Sequence, residues 1–433
     1  MVDKIEKNKQ EQEHQLVVIR EFNQERDIEV VGKLEKNCEI EMLPVDWSNN
    51  NTNYYYTNNN KKGVCSLFTN MISEDPLCRI RFYAVHVMLV AELRENGELV
   101  GVVRGCIKFV GTKFGATYLK MGCILGLRVS PSHRRMGIGF SLVKSVEDWM
   151  IRNGAHYTFL ATERNNVAST NLFTTKCNYM NFGSLVIFVQ PVSFPLKSTL
   201  SQDIKIEKLH IEQAISLYNN RMRSKDIYPT DIDSILKEKL SLGTWVSYFK
   251  EEEWFELKNN NINSEDFVTK TPSSWVVFSV WDSCEAYKIH IRKSSSYSHP
   301  MRFFHATLSH AKEKIFPCLK IPISCSGSLG NPFGFLFLYG LYGEGERLGE
   351  LMKSVLSFAS RLAEKMKHCK VIVTELGVSD PLIQHVPQPP SISCIDDLWY
   401  LKKMNAAAHE DDHELMMMMM GQIGNVFVDP RDF

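Results

Sequence analysis

The sequence predicts an α/β fold in which helices cover a mixed β-sheet, arranged as two successive units. The 433 residues exceed one ordinary core and suit two domains of about 200 residues each. Apolar residues make up 44% and charged residues 23%, which is typical of a soluble globular protein. Strand-like and helix-like segments alternate, and their order recurs after roughly half the chain, as a tandem duplication would leave it.

The first half predicts a strand and a helix, then a meander, then a β-α-β-α-β succession. Continuous or alternating apolar residues place strands at 17–22, 87–93, 99–108, 121–129, 157–162 and 184–190. Apolar residues at helical spacing place helices at 27–38, 137–153 and 166–176. Asn96-Gly97 predicts a hairpin turn within the meander, and Gly154 is expected to end the second helix.

The second half repeats this order in weaker form. Its predicted strands cover 203–208, 244–249, 275–281, 287–291, 335–340, 370–375 and 397–401. We expect 287–291 to be the third strand of its meander. One helix begins near Ile211, and another leads from Gly343-Glu344-Gly345 to Lys367. The two halves are therefore expected to form similar sheets.

Irregular segments mark the boundaries of these units. Residues 1–15 are polar and predict a flexible N-terminus, whereas the Asn/Tyr tract 48–62 and the tract 250–272 predict loop insertions. A boundary near Pro191–Pro195 separates a first domain, 16–193, from a second, 194–405. Residues 406–433 predict a largely flexible C-terminal tail.

Composition argues against several functions. Lys+Arg and Asp+Glu both number 50, whereas nucleic-acid binders carry a basic excess or stripe. No apolar run reaches the ~18 residues of a membrane-spanning helix, so neither direct nucleic-acid binding nor a membrane is expected. The 11 cysteines are scattered without Cys-x-x-Cys pairs, which predicts reduced thiols, no metal ion and a nuclear or cytoplasmic location.

One segment combines the features of an anion site. The predicted strand 121–129 leads through a basic turn into a helix. A helix N-terminus offers unpaired N–H groups and the positive end of a dipole, so phosphate binds there if the chain allows close approach. Gly137 and Gly139 allow it because they lack a Cβ, and Arg134 and Arg135 add positive charge. The glycine spacing is neither that of a Rossmann fingerprint nor that of a P-loop.

The pattern Leu-x-Val-x-Pro-x-x-Arg-x-x-Gly-x-Gly, from Leu127 to Gly139, resembles the acetyl-CoA motif of the GNAT (Gcn5-related) N-acetyltransferases. The resemblance implies a GNAT fold in the first half and acetyl-CoA as cosubstrate. In that family the strand splays from its neighbour, so the main chain of Leu127 and Val129 is implied to bind the pantetheine arm. The residues implied to hold the pyrophosphate are Arg135, Met136, Gly137, Ile138 and Gly139, with Arg134 beside them.

A second stretch, 165–179, resembles the next motif of the same family. It implies that Asn166 lies near the pantetheine and Phe173 beside the cofactor arm. Many relatives have a tyrosine in place of Phe173, whose hydroxyl protonates the leaving thiolate. Tyr157 and Tyr179 are the alternative acids, although both are expected in the core. Asn178 replaces a glycine and is expected to keep a left-handed backbone.

Segments in both halves resemble the plant Hookless group of N-acetyltransferases. They are 65–69, 75–81, 126–131, 239–244, 343–345, 396–399 and 427–433. Membership implies a nuclear regulator of plant differential growth, such as apical hook formation. The acceptor it implies is a primary amine of a protein, either a lysine side chain or an N-terminus.

Acetyl transfer to an amine requires a free lone pair on nitrogen. Because a lysine has a pKa of about 10.4, a base must remove its proton. Glu163 is the candidate base, and Glu92 and His133 are weaker candidates. The thioester is already activated, so no cysteine nucleophile is needed, and Cys123 and Cys177 are expected to be buried structural thiols.

The second half departs from the acetyl-CoA motif. Glu344 and Glu346 flank its glycines where phosphate would lie, and carboxylates at a helix start repel an anion. We expect a degenerate GNAT-like domain that does not bind CoA and that presents substrate or holds a partner, including a second copy in a homo-oligomer. Two alternatives to protein acetylation stay open: a non-catalytic acetyl-CoA-binding or scaffold regulator, and acetylation of a small molecule.

Overall fold

The computed structural model describes most of both halves. The described residues are 17–38, 40–42, 67–72, 75–114, 118–192, 202–252, 254, 271–293, 331–387, 393–404 and 423–432. The predictions for 1–15 and 48–62, and most of that for 250–272, lie outside these residues. None of the described helices is both long and apolar enough to cross a bilayer.

Strands and helices alternate as the sequence predicts. The strands are β1 (Val17–Glu21), β2 (Ile40–Met42), β3 (Leu67–Ile72), β4 (Val85–Leu93), β5 (Leu99–Thr112), β6 (Leu119–Val129), β7 (Tyr157–Glu163), β8 (Met180–Pro191), β9 (Ile204–Lys208), β10 (Ile227–Pro229), β11 (Ser241–Phe249), β12 (Trp275–Asp282), β13 (Lys288–Lys293), β14 (Gly334–Glu344), β15 (Cys369–Gly377) and β16 (Ser393–Lys403). The helices are α1 (Gln24–Asn37), α2 (Ile138–Arg152), α3 (Val167–Asn171), α4 (Ile211–Arg221), α5 (Ile232–Lys237) and α6 (Leu348–Glu364).

Local signals account for several element boundaries. Gly97 has φ 73° in the turn between β4 and β5, which confirms the hairpin. The side chain of Asn23 caps α1 by accepting a hydrogen bond from the N–H of Arg26. Gly154, at φ 75°, follows the end of α2 as predicted. The long strand β5 is buried along nearly its whole length, which places it inside the sheet rather than at an edge.

One large sheet of 13 strands runs through both halves. Its path is β1-β4-β5-β6-β7-β16-β8-β15-β14-β12-β11-β9, with β10 paired to β5. The neighbours β6–β7 and β14–β15 are parallel, and the other pairs are antiparallel, so the sheet is mixed. This confirms the predicted α/β fold class.

The last strand of each half pairs with the other half. Strand β16, from the second half, lies between β7 and β8. Strand β8, from the first half, pairs in turn with β15. The predicted boundary near residue 193 therefore separates two similar successions of elements along the chain, but the final strands cross it.

Residues 287–291 correct one predicted pairing. We expected them to complete the meander of the second half. The structure instead pairs β13 with β3, in a separate sheet with the order β13-β3-β2. Strand β14 takes the third meander position because it pairs with both β12 and β15, which leaves no edge there for β13.

Helices cover the two faces of the sheet differently. On one face α2 packs over the first half through Leu142 and Val146, and α6 packs over the second half through Leu351 and Val355. On the opposite face a single core spans both halves and includes residues of α1, α4, α5 and the C-terminal segment. We call this side the shared face.

The C-terminal segment, residues 423–432, corrects the prediction of a flexible tail. Ile423, Val426 and Phe427 are buried, and two β-bridges tie the segment to β8 and β10. The buried guanidinium of Arg431 is compensated by Asp429 at 2.7 Å and Asp231 at 2.8 Å. The remainder of the predicted tail, including the methionine run, lies outside the described residues.

Candidate functional site

A gap opens between β6 and β7. The two strands pair only over Met121–Cys123, opposite Tyr157–Phe159. Beyond that point β6 continues beside β5 as far as Val129, whereas β7 continues beside β16 as far as Glu163. The diverging strands leave main-chain groups of β6 without a neighbouring strand, which is the splay expected for the pantetheine arm.

The main chain of Val129 faces this gap. The N–H of Ser130 donates to Val100 of β5 at 2.8 Å. Because main-chain groups alternate in direction along a strand, those of Val129 point away from β5. The Val129 carbonyl accepts a hydrogen bond from Arg134 Nε at 3.3 Å. Leu127, two residues earlier, is on the same side by the same alternation.

A β-bulge at Gly126 sets the course of β6 before the gap. The register between β5 and β6 shifts between Val102 and Arg104, and Gly126 has φ 58°. A Cβ on Gly126 would lie 2.8 Å from Arg104 Nη1. Arg104 also pairs with Glu35 of α1 at 2.7 Å. The bulge therefore requires glycine, and a buried arginine supports it.

The basic turn after β6 presents an open helix start. A 3₁₀ turn at Pro131–His133 is followed by left-handed residues at Arg135, φ 66°, and Gly137, φ 79°. Gly137 is the N-cap of α2, and no side chain caps the helix. Arg134, Arg135 and Met136 are exposed. The first N–H groups of α2 therefore have no side-chain acceptor and are available to an anion.

Packing within the chain does not require glycine at position 139. A Cβ there would meet Leu172 Cδ2 at 3.5 Å and Val129 Cγ2 at 3.6 Å, which are ordinary contact distances. Glycine inside a helix costs about 1 kcal/mol relative to alanine. The contact also shows that Leu172, the residue before Phe173 in the second motif, borders the helix start.

Two residues of the second motif, Asn166 and Phe173, have structural roles in the fold. The side chain of Asn166 caps α3 by accepting from the N–H of Ser169 at 3.1 Å. Phe173 lies in a π-helical turn, is 3% exposed and packs edge-on against Tyr179 with ring centroids 5.4 Å apart. Phe173 therefore belongs to the core beneath the site and offers no exposed face to a cofactor arm.

Neither alternative tyrosine is an exposed acid. Tyr157 and Tyr179 are buried, as expected for core aromatics. The Tyr179 hydroxyl shares a 2.8 Å hydrogen bond with Thr158 Oγ1, and burial raises the pKa of Tyr179 well above its usual value. Asn178 has φ 60°, which confirms the left-handed turn.

Glu163, the candidate base, lies at the end of β7 where the gap is open. It is half-buried and stands directly opposite Asp397 of β16. Burial raises the pKa of Glu163, and the charge of Arg128 on β6 lowers it. Desolvation is the larger effect, so the carboxylate is a stronger base than an exposed glutamate.

The weaker base candidates lie elsewhere. Glu92 is on β4, two strands from β6, and pairs with Arg20 at 2.7 Å and Arg26 at 2.9 Å. His133 is in the basic turn, where its Nδ1 lies 3.0 Å from Ser132 Oγ. Glu92 is therefore an ion-pair residue, and His133 flanks the helix start.

Three potential metal ligands meet on the shared face. The ligand atoms of Cys106, Cys123 and Asp432 lie within 4.8 Å of one another. Burial raises the pKa of Cys123 well above its usual value, which disfavours the thiolate that a metal would need. Lys108 already forms an ion pair with Asp432. Cys123 and Cys177 are both buried, in agreement with a structural role.

The helix start of the second half lies later in the sequence than expected. Gly343 belongs to β14, and α6 begins at Leu348 with Arg347 as its N-cap. The Arg347 N–H donates to Ser274 Oγ at 3.4 Å, and its guanidinium pairs with Glu350 at 3.0 Å and Glu251 at 3.1 Å. Glu350 and Glu251 therefore bring negative charge to this helix start, whereas Glu344 lies in β14 and pairs with Arg221 at 3.3 Å.

Protein atoms also fill the space around the second turn. A Cβ on Gly345 would collide with the carbonyl oxygen of Ser273. Strands β14 and β15 separate after Leu338–Thr374, as β6 and β7 do in the first half. Phe427 packs against Tyr339 of β14 at a centroid distance of 6.1 Å, and Gly424 accepts a hydrogen bond from Ser379 beyond β15 at 2.8 Å. The C-terminal segment therefore spans the second gap.

The splayed strands, the bulge and the uncapped helix start lie within residues 66–179, which match the family model described as Acetyltransferase (GNAT) family. The chain is a GNAT-type acetyltransferase. More closely, it is 36% identical over 441 residues to the probable N-acetyltransferase HLS1 of Arabidopsis thaliana, covering 96% of this chain and 100% of the relative. It belongs to that Hookless family.

A rice relative agrees with this assignment. The acetyl transferase GW6a of Oryza sativa subsp. japonica is 33% identical over 439 residues, covering 96% of this chain and 98% of the relative. Among solved structures, an N-myristoyltransferase of Saccharomyces cerevisiae with bound myristoyl-CoA gives a TM-score of 0.47 at 10% identity, over 89% of this chain and 78% of that one.

Proposed function

We propose that this protein transfers the acetyl group of acetyl-CoA directly to a primary amine of a protein, a lysine side chain or an N-terminus. The observation that carries the proposal is the uncapped start of α2 beside the open gap between β6 and β7. The turn and helix N–H groups from Arg135 to Gly139 suit the pyrophosphate. The gap-facing main chain of Leu127 and Val129 suits the pantetheine arm.

In the proposed reaction, Glu163 accepts a proton from the acceptor ammonium. The free nitrogen lone pair then attacks the thioester carbonyl, the C–S bond breaks, and the second proton that the nitrogen loses passes through water to the departing CoA thiolate. A free thiol has a pKa of about 8.5, so its thiolate is a tolerable leaving group near neutral pH. The lack of a hydroxyl on Phe173 therefore does not prevent the reaction.

The test compares wild type with Gly137→Glu. A glutamate at this left-handed position places a carboxylate and a strained backbone where the phosphates bind, so we expect acetyl-CoA affinity to fall about 100-fold or more. Calorimetry measures binding, and release of CoA thiol measures turnover on a mixture of lysine-containing peptides. Thermal unfolding shows whether the variant is folded.

The outcomes separate the alternatives. Turnover that disappears with binding in Gly137→Glu supports the enzyme. Wild-type protein that binds acetyl-CoA without turning over any peptide favours the non-catalytic regulator, for which the buried Phe173 is the specific observation. Turnover on small amines added to the mixture, without turnover on peptides, would indicate a small-molecule acceptor.

We also propose that the protein acts in the nucleus as a regulator of differential growth, including apical hook formation. The support is its membership in the family of the Arabidopsis relative and the resemblance to the Hookless group. A fluorescent fusion tests the location, and the hook angle of seedlings that lack the protein tests the role. Fluorescence confined to the cytoplasm would contradict the nuclear proposal.

A further inference from the structure

Three carboxylates meet on the shared face near the gap, and they come from both halves of the chain. They are Glu163 on β7, Asp397 on β16 and Glu375 on β15. Each lies an even number of residues from a member of the shared core, namely Phe159, Trp399 and Val373. Because side chains alternate along a strand, all three carboxylates point to that face.

Strand exchange places Asp397 directly beside Glu163, and β8 lies between the strands of Asp397 and Glu375. Asp397 stands directly opposite Glu163 in the antiparallel pair β7–β16, so their Cβ atoms are about 5 Å apart. Asp397 is 7% exposed and Glu375 is 6% exposed. Glu375 interacts electrostatically with Asp397, and among the described residues Glu375 Oε1 has no hydrogen-bond partner. These are buried acidic groups, not a solvated surface.

The surroundings give the three carboxyl groups different proton affinities. Burial, and then repulsion by Asp397, raise the pKa of Glu375 well above its usual value. Burial, and then repulsion by Glu163, raise the pKa of Asp397 to about 7. Arg128 faces Glu163 from β6, and Asp432 of the C-terminal segment, itself paired with Lys108, faces Glu375. Glu375 is therefore protonated and neutral, whereas Glu163 and Asp397 are the two carboxyl groups of the cluster that can ionise.

We propose that Asp397 completes the proton-accepting site of the first half, so that the Glu163–Asp397 pair, rather than Glu163 alone, accepts the proton of the acceptor amine. This deepens the proposed function and rests on it. One proton moves from the ammonium nitrogen to a carboxylate oxygen of the pair, and the freed lone pair attacks the thioester. The proton returns to water after the product leaves.

The pair explains why the second half is retained beside a complete cofactor site. Asp397 acts through Glu163 and is a positioning residue, because β7 lies between its own strand, β16, and the gap. Burial and repulsion by Glu163 raise the pKa of Asp397 to about 7, so the pair binds a proton more readily than Glu163 alone, as expected for two carboxylates that share a site. Without β16, Glu163 would lose this neighbour and would lie on an open strand edge.

The experiment compares Glu163→Gln, Asp397→Asn and Asp396→Asn in the full-length protein, with acetyl-CoA and the lysine-containing peptide mixture. Asp396 is the matched control because it is the adjacent residue on the opposite face, where it pairs with Arg164 at 3.4 Å on the surface. Turnover is measured from about pH 5.5 to about 9, a range that extends on the order of two pH units to either side of the pKa of the pair. Acetyl-CoA affinity and thermal unfolding are measured for every variant.

We expect Glu163→Gln to lower kcat by about 100-fold or more, as loss of a general base does. Asp397→Asn should lower kcat about tenfold and move its acid limb to lower pH by about one unit, because the pair loses the carboxyl group whose pKa is raised to about 7. Asp396→Asn should keep the wild-type profile. Acetyl-CoA affinity should stay unchanged in all three variants.

The results distinguish this proposal from the proposed function. If Glu163→Gln loses turnover while Asp397→Asn keeps the wild-type kcat and acid limb, the pair is wrong and Glu163 acts alone. If Asp397→Asn is less stable but has an unchanged pH profile, Asp397 is only structural and the proposal is also wrong. If wild type turns over no amine, the proposed function and the pair fail together.

Discussion

In each half a helix follows a strand that separates from its parallel neighbour, but the two helix starts have different charged neighbours. Helix α2 begins at Ile138 after the left-handed Gly137, with exposed arginines and no side-chain cap. Helix α6 begins at Leu348 after Arg347, which is bound by Glu350, Glu251 and Ser274. Neither helix has a side-chain cap among the described residues, so the two starts differ in their charged neighbours, and only the start of α2 is proposed as an anion site.

The largest expected effect concerns the gap between β14 and β15, which the C-terminal segment spans. Phe427 lies against Tyr218 and Tyr339 in the second half. Phe427→Ala should lower the free energy of unfolding by ~3–5 kcal/mol, because it leaves a cavity in the core. Chemical denaturation measures the loss. Acetyl-CoA affinity should be unchanged, and a parallel loss of affinity would mean that the second gap contributes to the cofactor site.

An intermediate effect is expected from charge reversal at the two helix starts. Arg135→Glu should weaken acetyl-CoA binding about tenfold at low salt, since an exposed cation beside the phosphates becomes an anion. Arg347→Glu is the matched variant in the second half and should leave the affinity unchanged. Calorimetry at two salt concentrations measures both. Equal effects of the two substitutions would remove the distinction between the halves.

The smallest effect is expected from substitutions at the second residue of α2, Gly139, and at the second residue of α6, Gly349. A Cβ on Gly139 meets no atom closer than 3.5 Å, and one on Gly349 meets only His385 Nδ1, at 3.6 Å. Gly139→Ala and Gly349→Ala should each stabilise the fold by about 0.5–1 kcal/mol. Only Gly139→Ala should reduce acetyl-CoA affinity, by a few-fold. Unchanged affinity in Gly139→Ala would show that the phosphates do not approach this residue.

Local signals in the sequence were sufficient for most elements, including the strand, turn and helix of the proposed cofactor site. The strand, basic turn and helix around Gly137 lie in one continuous stretch, so spacing alone reveals them. The left-handed Asn178 and the turn at Gly97 follow from residue preference in the same way. The shift of the second helix start to Leu348 escaped prediction because β14 extends through Gly343 before the turn.

Contacts between distant parts of the chain could not be read from local patterns. The alternation in β16 is the same whichever strands flank it, so nothing in the sequence places Asp397 beside Glu163. The segment 423–432 is short, lacks a helical or strand period and follows a polar and methionine-rich stretch, so it resembles the end of a loop. Its burial depends on distant partners such as Asp231 for Arg431, which local composition does not reveal.

The exchange of final strands also has a consequence for synthesis. Lys402 of β16 contacts Glu147 of α2, 255 residues earlier in the chain. At roughly 5–20 residues per second, translation delivers β16 tens of seconds after β7 and β8. Until then both strands expose unpaired edges, and closing so long a loop is entropically costly. We therefore expect the nascent first half to be more prone to aggregation than the finished chain.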